Sequence, residues 1–314
     1  MATCSNPTAS HEFGWQLVRE PEEDTHFSAI HFADHEHGWA VGDSGTIIAT
    51  KNGGSSWQKQ SSGSNSALRT VYFVDSMTGW AGGRDATLLH TVDGGKLWQR
   101  QPIPIDSSNG IFTIHFSDNL LGWLIHNGGE ILNTVDGGET WEPQLSWDMG
   151  GAGRLAMVDH ATGYVFPAID TSIWKTQNGG QLWTAIKRPQ IRWPTDMFFV
   201  SEQKGWIVND KLASSLYVDY ANVFYTKDGG ESWACLDTLP EKHISAIHFA
   251  DDRRGWLTTQ SQIYATTDGG NTWICDYDSE NEDFWLGFQD LFFIDDTHGW
   301  ALDYRGGICR YTRL

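Results

Sequence analysis

The stretch Thr50-Lys51-Asn52-Gly53-Gly54-Ser55-Ser56-Trp57 decides the fold, because it keeps coming back. It returns as Thr91-Val-Asp-Gly-Gly-Lys-Leu-Trp98, Thr134-Val-Asp-Gly-Gly-Glu-Thr-Trp141, Thr176-Gln-Asn-Gly-Gly-Gln-Leu-Trp183, Thr226-Lys-Asp-Gly-Gly-Glu-Ser-Trp233 and Thr266-Thr-Asp-Gly-Gly-Asn-Thr-Trp273. The six tryptophans lie 41, 43, 42, 50 and 40 residues apart. A period of this size marks a repeat architecture, in which each copy is one supersecondary unit.

A second landmark precedes each copy: an apolar triplet, a short polar turn, then Gly-aromatic. It runs from Ile30-His31-Phe32 to Gly38-Trp39, from Val71-Tyr72-Phe73 to Gly79-Trp80 and from Ile114-His115-Phe116 to Gly122-Trp123. It continues from Ala156-Met157-Val158 to Gly163-Tyr164, from Met197-Phe198-Phe199 to Gly205-Trp206 and from Ile247-His248-Phe249 to Gly255-Trp256. A seventh runs from Leu291-Phe292-Phe293 to Gly299-Trp300. The seventh box is split between the ends of the chain: Thr312 stands 12 residues after Trp300, and Trp15 stands 42 residues before Trp57. This is the signature of a ring in which the N-terminal strand completes the last blade.

Within a repeat the period is two. Thr46-Ile47-Ile48-Ala49-Thr50 and Thr87-Leu88-Leu89-His90-Thr91 read as short strands punctuated by Gly and Asp, and no stretch carries a helical stripe. Seven such units of four short strands predict an all-β, seven-bladed β-propeller. We expect one domain over 1–314, with blade boundaries near Trp15, Trp57, Trp98, Trp141, Trp183, Trp233 and Trp273. Each box is then a tight turn between the third and fourth strands. Its Gly-Gly supplies positive φ, its Asp or Asn binds turn amides, and its Trp packs between blades. Thirteen of the 17 Trp fall on landmark positions, leaving Trp147, Trp174, Trp193 and Trp285 outside the pattern.

Composition narrows the partners. The 314 residues carry 40 acidic and 21 basic side chains, a formal net charge of −19. Such a chain repels phosphate backbones, so no nucleic-acid partner is expected. No apolar run approaches the ~18 residues of a membrane span. The four cysteines, Cys4, Cys235, Cys275 and Cys309, show no zinc-ligand spacing, and neither a metal nor a cofactor is expected. Cys235 and Cys275 occupy equivalent places in successive repeats, too far apart to bridge. With no apolar stretch in residues 1–12, a cytoplasmic location is expected; the alternative is extracytoplasmic, with Cys4 lipidated after removal of a leader.

The box resembles the Asp-box, or BNR repeat, with Asn52 and Asn178 standing where the other four copies keep Asp. Together with phrases such as Gly38-Trp39-Ala40-Val41-Gly42-Asp43-Ser44-Gly45-Thr46-Ile47, it resembles the photosystem II stability/assembly factor-like family over essentially the whole chain. The resemblance implies the propeller fold and a binding or assembly role; the photosynthetic members are extracytoplasmic assembly chaperones with an arginine-rich patch. Asp-boxes also occur in sialidases, but the Arg-Ile-Pro segment of those enzymes is missing here. By resemblance to Asp-box enzymes, ligands are expected on the face opposite the boxes.

That face is formed by the loops leading into each first strand and the loops between second and third strands. The leading loops carry His26, Arg69, Phe112, Trp147, Arg154, Arg192, Trp193, His243 and Trp285; the others carry Asp43, Arg84, Asp85, Tyr304 and Arg305. Arg69 and Arg154 each precede a triplet by two residues and so read as equivalent positions suited to a carboxylate, a phosphate or a peptide backbone. Salt bridges to neighbouring acids are the competing reading. Trp193 and Trp285 are candidates for ring stacking. His31, His115 and His248 recur inside triplets and are expected to pack. The acidic loops 20–24 and 275–285 read as solvated charge facing the arginines across the ring. The insertion between Trp206 and Thr226 reads either as a flap or as a neutral surface loop. No Gly-x-Ser-x-Gly, His-Glu-x-x-His or phosphate-cradling loop occurs. Two functions follow: a module binding a small molecule, peptide or protein at the channel mouth, or an enzyme on the same face using carboxylate or His acid–base groups with arginines, for glycoside-cleaving, lyase or small-molecule tailoring chemistry.

Overall fold

The computed structural model describes residues 13–22, 25–147, 151, 153–167, 172–187, 194–209, 213–214, 217–218, 221–239, 243–279 and 287–313. They form seven four-stranded antiparallel sheets and a small two-stranded hairpin, the blades of an all-β, seven-bladed propeller. Two compact units contain them, His26–Arg188 and Met1–Thr25 with Pro189–Leu314.

The first unit holds blades 1 to 4. Blade 1 is Phe27–Phe32, His37–Gly42, Ile47–Lys51 and Gln58–Gln60, and blade 2 is Leu68–Phe73, Gly79–Gly83, Thr87–Thr91 and Gln99–Arg100. Blade 3 is Ile111–Phe116, Gly122–His126, Glu130–Thr134 and Glu142–Ser146, and blade 4 is Gly153–Met157, Thr162–Pro167, Ser172–Gln177 and Thr184–Lys187. The second unit holds blades 5 to 7. Blade 5 begins with Pro194–Phe199 and Gly205–Asn209 and ends with Ala221–Thr226 and Ala234–Leu239. Its insertion contains the hairpin Ala213–Ser214 with Tyr217–Val218. Blade 6 is Ile244–Phe249, Gly255–Thr259, Gln262–Thr266 and Ile274–Asp278. Blade 7 is Phe288–Phe293, His298–Asp303 and Ile308–Arg313, and its fourth strand is Phe13–Arg19, which pairs with Ile308–Arg313 so that Trp15 lies opposite Tyr311.

The box turns obey one pattern. Thr134 Oγ1 accepts the Gly138 N–H at 2.9 Å and donates to Asp136 Oδ1 at 2.7 Å, and that oxygen accepts the Thr140 N–H at 2.9 Å. Asn52 does the same work as Asp: its Oδ1 accepts the Ser56 N–H at 2.9 Å. Both box glycines of this turn sit at positive φ, 76° at Gly137 and 93° at Gly138, where a side chain would be strained.

The triplet and the Gly-Trp landmark are two halves of one packing device. The last residue of the triplet, Phe73 in blade 2, lies face to face with Trp39 of blade 1 at 3.4 Å and edge-on to its own box tryptophan, Trp98, at 5.7 Å. Phe116 is held the same way by Trp80 and Trp141. In the second unit Phe249 has Trp206 and Trp273, and Phe293 has Trp256 and Trp15. Each phenylalanine also lies over the glycine of its own landmark: a Cβ on Gly79 would meet the Phe73 ring at 2.4 Å. The indole of the stacking tryptophan then donates to the next box, as Trp80 does to Gly137 O at 2.9 Å and Trp206 to Gly269 O at 3.0 Å. Ring pairs of this geometry add about 0.5–1.5 kcal/mol each beyond the area they bury, so much of the tryptophan content ties neighbouring blades together within each unit.

Blade 4 departs from the pattern. The ladder puts Met157, not Val158, opposite Gly163, as Phe73 is opposite Gly79. The fourth triplet is therefore Leu155-Ala156-Met157, one residue earlier than the sequence suggested. The apolar run Ala156-Met157-Val158 misled because no aromatic residue marks its end.

Candidate functional site

Six of the seven first strands carry a register shift just after their first paired residue, at Ser28, Arg69, Phe112, Thr195, Ser245 and Gln289. A bulge re-aims one side chain out of the ladder, and here it does so where the chain enters each blade. In blades 2 and 3 the bulged side chains meet: the Arg69 guanidinium lies over the Phe112 ring, 4.5 Å from its centre. Arg69 is half-buried, and its buried Nε has no hydrogen-bond partner among the described residues. Burial pulls its pKa down, the nearby charge of Arg84 adds to this, and Asp43 partly offsets both. Arg84 is exposed, on the loop between the second and third strands of blade 2. Among the described residues neither arginine has a carboxylate at salt-bridge distance. Arg69, fixed over a ring, and the nearby Arg84 thus put two positive charges on the loops of blade 2.

The flanking loops are shaped to present them. His26 is exposed, with Nδ1 3.4 Å from Asp43 Oδ2, and its carbonyl accepts the Asp43 N–H at 2.9 Å. In the loop after Arg84, Asp85 and Ala86 sit at φ of 56° and 49°, left-handed values uncommon for residues with a Cβ. Arg100 Nη2 donates to Asp85 O at 2.8 Å and Ser66 Oγ to Asp85 Oδ2 at 2.8 Å, which holds the strained loop in place. The sequence held one signal for this conformation: the matching loop of blade 1 has Gly45, at φ 67°, where blade 2 has Ala86.

Arg154 does not continue the pair. Blade 4 has no bulge, and Arg154 lies opposite Phe166 in the ladder, where blade 2 has Thr70 opposite Gly82. Its equivalence to Arg69 was a product of the one-residue register error. Trp147 is buried in the hydrophobic cluster that also holds Leu155 and Trp183. In the second unit His243 is exposed at the start of blade 6. Tyr304 is half-exposed under the Arg305 guanidinium, 5.5 Å from its ring centre. Their loop is organised by Asp303, a fully buried carboxylate that accepts the Gly287 N–H and, at 2.8 Å, the Arg305 N–H. Burial raises its pKa. Arg192, Trp193 and Trp285 lie outside the described residues.

The acidic loops are only partly solvated charge. Asp276 and Asp278 belong to the fourth strand of blade 6. Asp276 accepts the Trp15 indole N–H at 2.9 Å, and burial raises its pKa; Asp278 is buried and accepts from Gln262 at 2.8 Å. The triplet histidines pack as expected. His115 touches Tyr72 at 4.8 Å and His248 touches Phe198 at 4.2 Å, and burial lowers their pKa values to about 4 and about 3.

No helix among the described residues is long and apolar enough to cross a membrane. Several solved structures share the fold. A structure titled YCF48 bound to D1 peptide aligns with a TM-score of 0.77 at 20% identity, covering 98% of this chain and 99% of that one. YCF48 from Cyanidioschyzon merolae aligns at 0.76 and 20% identity, covering 95% and 98%. A virginiamycin B lyase from Staphylococcus aureus aligns at 0.77 but 14% identity, covering 96% and 100%. A search of curated protein sequences returns no match. The family model described as photosynthesis system II assembly factor YCF48 matches residues 7–107 and 100–236. With most of its length matched, the chain belongs to the photosynthesis system II assembly factor YCF48 family.

Proposed function

We propose that this chain is a protein-binding, assembly-type propeller that holds an extended peptide segment on the loops leading into its first strands, with Arg69 and Arg84 gripping a carboxylate of that segment. The observation that carries the reading is the Arg69–Arg84 pair without a protein carboxylate of its own, Arg69 being fixed on Phe112. Family membership supports it, as does the similar structure of YCF48 with a D1 peptide. The enzyme alternative has less behind it. Among the described residues, Asp276, Asp303, His115 and His248 have pKa values moved by burial, and each is held in packing or in loop support.

Fluorescence anisotropy with a labelled D1 peptide, in free-acid and C-terminally amidated forms, tests the proposal. The free acid should bind more tightly than the amide and weaken with salt. Replacing both Arg69 and Arg84 by Ala removes two charge-assisted contacts and should reduce affinity by about tenfold or more. Equal binding by the double variant, or no binding by the parent, refutes the assignment.

A further inference from the structure

At the other end of the first strands, the middle residues of the triplets form an arc of rings. His31 of blade 1 contacts Tyr72 of blade 2 at 4.6 Å, and Tyr72 contacts His115 of blade 3 at 4.8 Å. The next position in register is Ala156, opposite Tyr164 as His115 is opposite Trp123. A methyl group stands where a fourth ring would continue the arc. An open cleft of about 430 Å³ at His115 is lined by Tyr72, His115, Asp118, Met157, Asp159 and His160 among others.

The lining has two characters. Tyr72, His115 and the Met157 thioether offer ring and sulfur surface to a planar group. The nitrogens of His115 make no hydrogen bond with any described residue. Asp118 and Asp159 stand at the rim. Each spends Oδ1 on its own turn: Asp118 accepts the Leu120 and Leu121 N–H groups at 2.7 and 2.8 Å, and Asp159 accepts those of Ala161 and Thr162, both at 2.7 Å. Their Oδ2 atoms have no partner among the described residues. The turn bonds hold both carboxyls below the usual carboxylate range, with a smaller contribution from His160, so both are ionised at neutral pH.

We propose that this cleft binds a planar aromatic cation, its ring against His115 and Met157 and its positive charge at Asp118 and Asp159. The net charge of −19 favours a cation over any anionic ring. The site is separate from the Arg69–Arg84 pair and does not depend on the function proposed for it.

Isothermal titration calorimetry of the full chain with tryptamine tests this, with 3-indolepropionate as the ring of opposite charge. Tryptamine should bind at one site and 3-indolepropionate should not. The double variant Asp118→Asn with Asp159→Asn keeps the Oδ1 turn acceptors and should weaken tryptamine by about tenfold. Absence of tryptamine binding, equal binding of the two probes, or unchanged affinity in the Asn pair would overturn the assignment.

Discussion

The packing of Phe73 over Gly79 makes a quantitative prediction about why the Gly-Trp landmark holds glycine. Gly79 is in ordinary strand conformation, so its backbone accepts alanine. What forbids the methyl is the Phe73 ring, 2.4 Å from where that Cβ would stand, against the ~3.5–4.0 Å of a relaxed carbon contact. The ring cannot retreat: Trp39 covers one face at 3.4 Å and Trp98 abuts it at 5.7 Å. Gly79→Ala should therefore cost about 2–3 kcal/mol through overpacking. Phe73→Ala removes a side chain only 2% exposed and should cost about 3–5 kcal/mol. With the ring gone, the new methyl enters vacated space, and alanine is favoured over glycine in a strand by about 0.5–1 kcal/mol. The double variant should then be about 0.5–1 kcal/mol more stable than Phe73→Ala alone, a coupling of about 2.5–4 kcal/mol between the two sites. Urea denaturation of the four proteins, followed by tryptophan fluorescence, measures it. Additive losses, or a neutral Gly79→Ala, would refute the account of the landmark.

Two further outcomes are expected. Ala86→Gly relieves a left-handed residue worth about 1–2 kcal/mol against a smaller gain in unfolded-chain entropy, so thermal unfolding should shift upward by a net stabilisation of roughly 0.5–1 kcal/mol; a lower Tm would mean that the loop is not strained. Asp136 and Asp228 have pKa values depressed to about 2, chiefly by the side-chain hydroxyls of Thr140 and Ser232. A depressed carboxylate contributes stability that is complete above the unfolded value near 3.8 and is lost as pH falls toward 2. Acid titration by circular dichroism should show stability falling in that window, and the Asp136→Asn/Asp228→Asn protein should show a smaller fall.

How much of this was readable in the chain depended on whether a residue's role repeats. The boxes and landmarks were legible because seven blades meet the same packing problem, and Asn52 could replace Asp because the turn needs only an acceptor oxygen. The register of blade 4 was not legible, since Ala156 and Met157 carry neither the ring nor the shape that fixes the other triplets. Asp276 and Asp278 looked like solvated charge because their partners, Trp15 and Gln262, are brought to them only by folding. The equivalence of Arg154 to Arg69 was not legible, because it turns on the absence of a bulge in blade 4, a backbone property that composition does not announce.

The pairing of Phe13–Arg19 with Ile308–Arg313 has a consequence for synthesis. Roughly 290 residues separate these strands, so at about 5–20 residues per second the earlier one waits roughly 15–60 s for its partner to be made. During that interval Trp15 has neither Asp276 nor Phe293 to meet, and its strand is an uncovered edge. Blade 7 therefore completes its ladder only after Ile308–Arg313 has been made, and until then the Trp15 strand has no partner to hydrogen-bond.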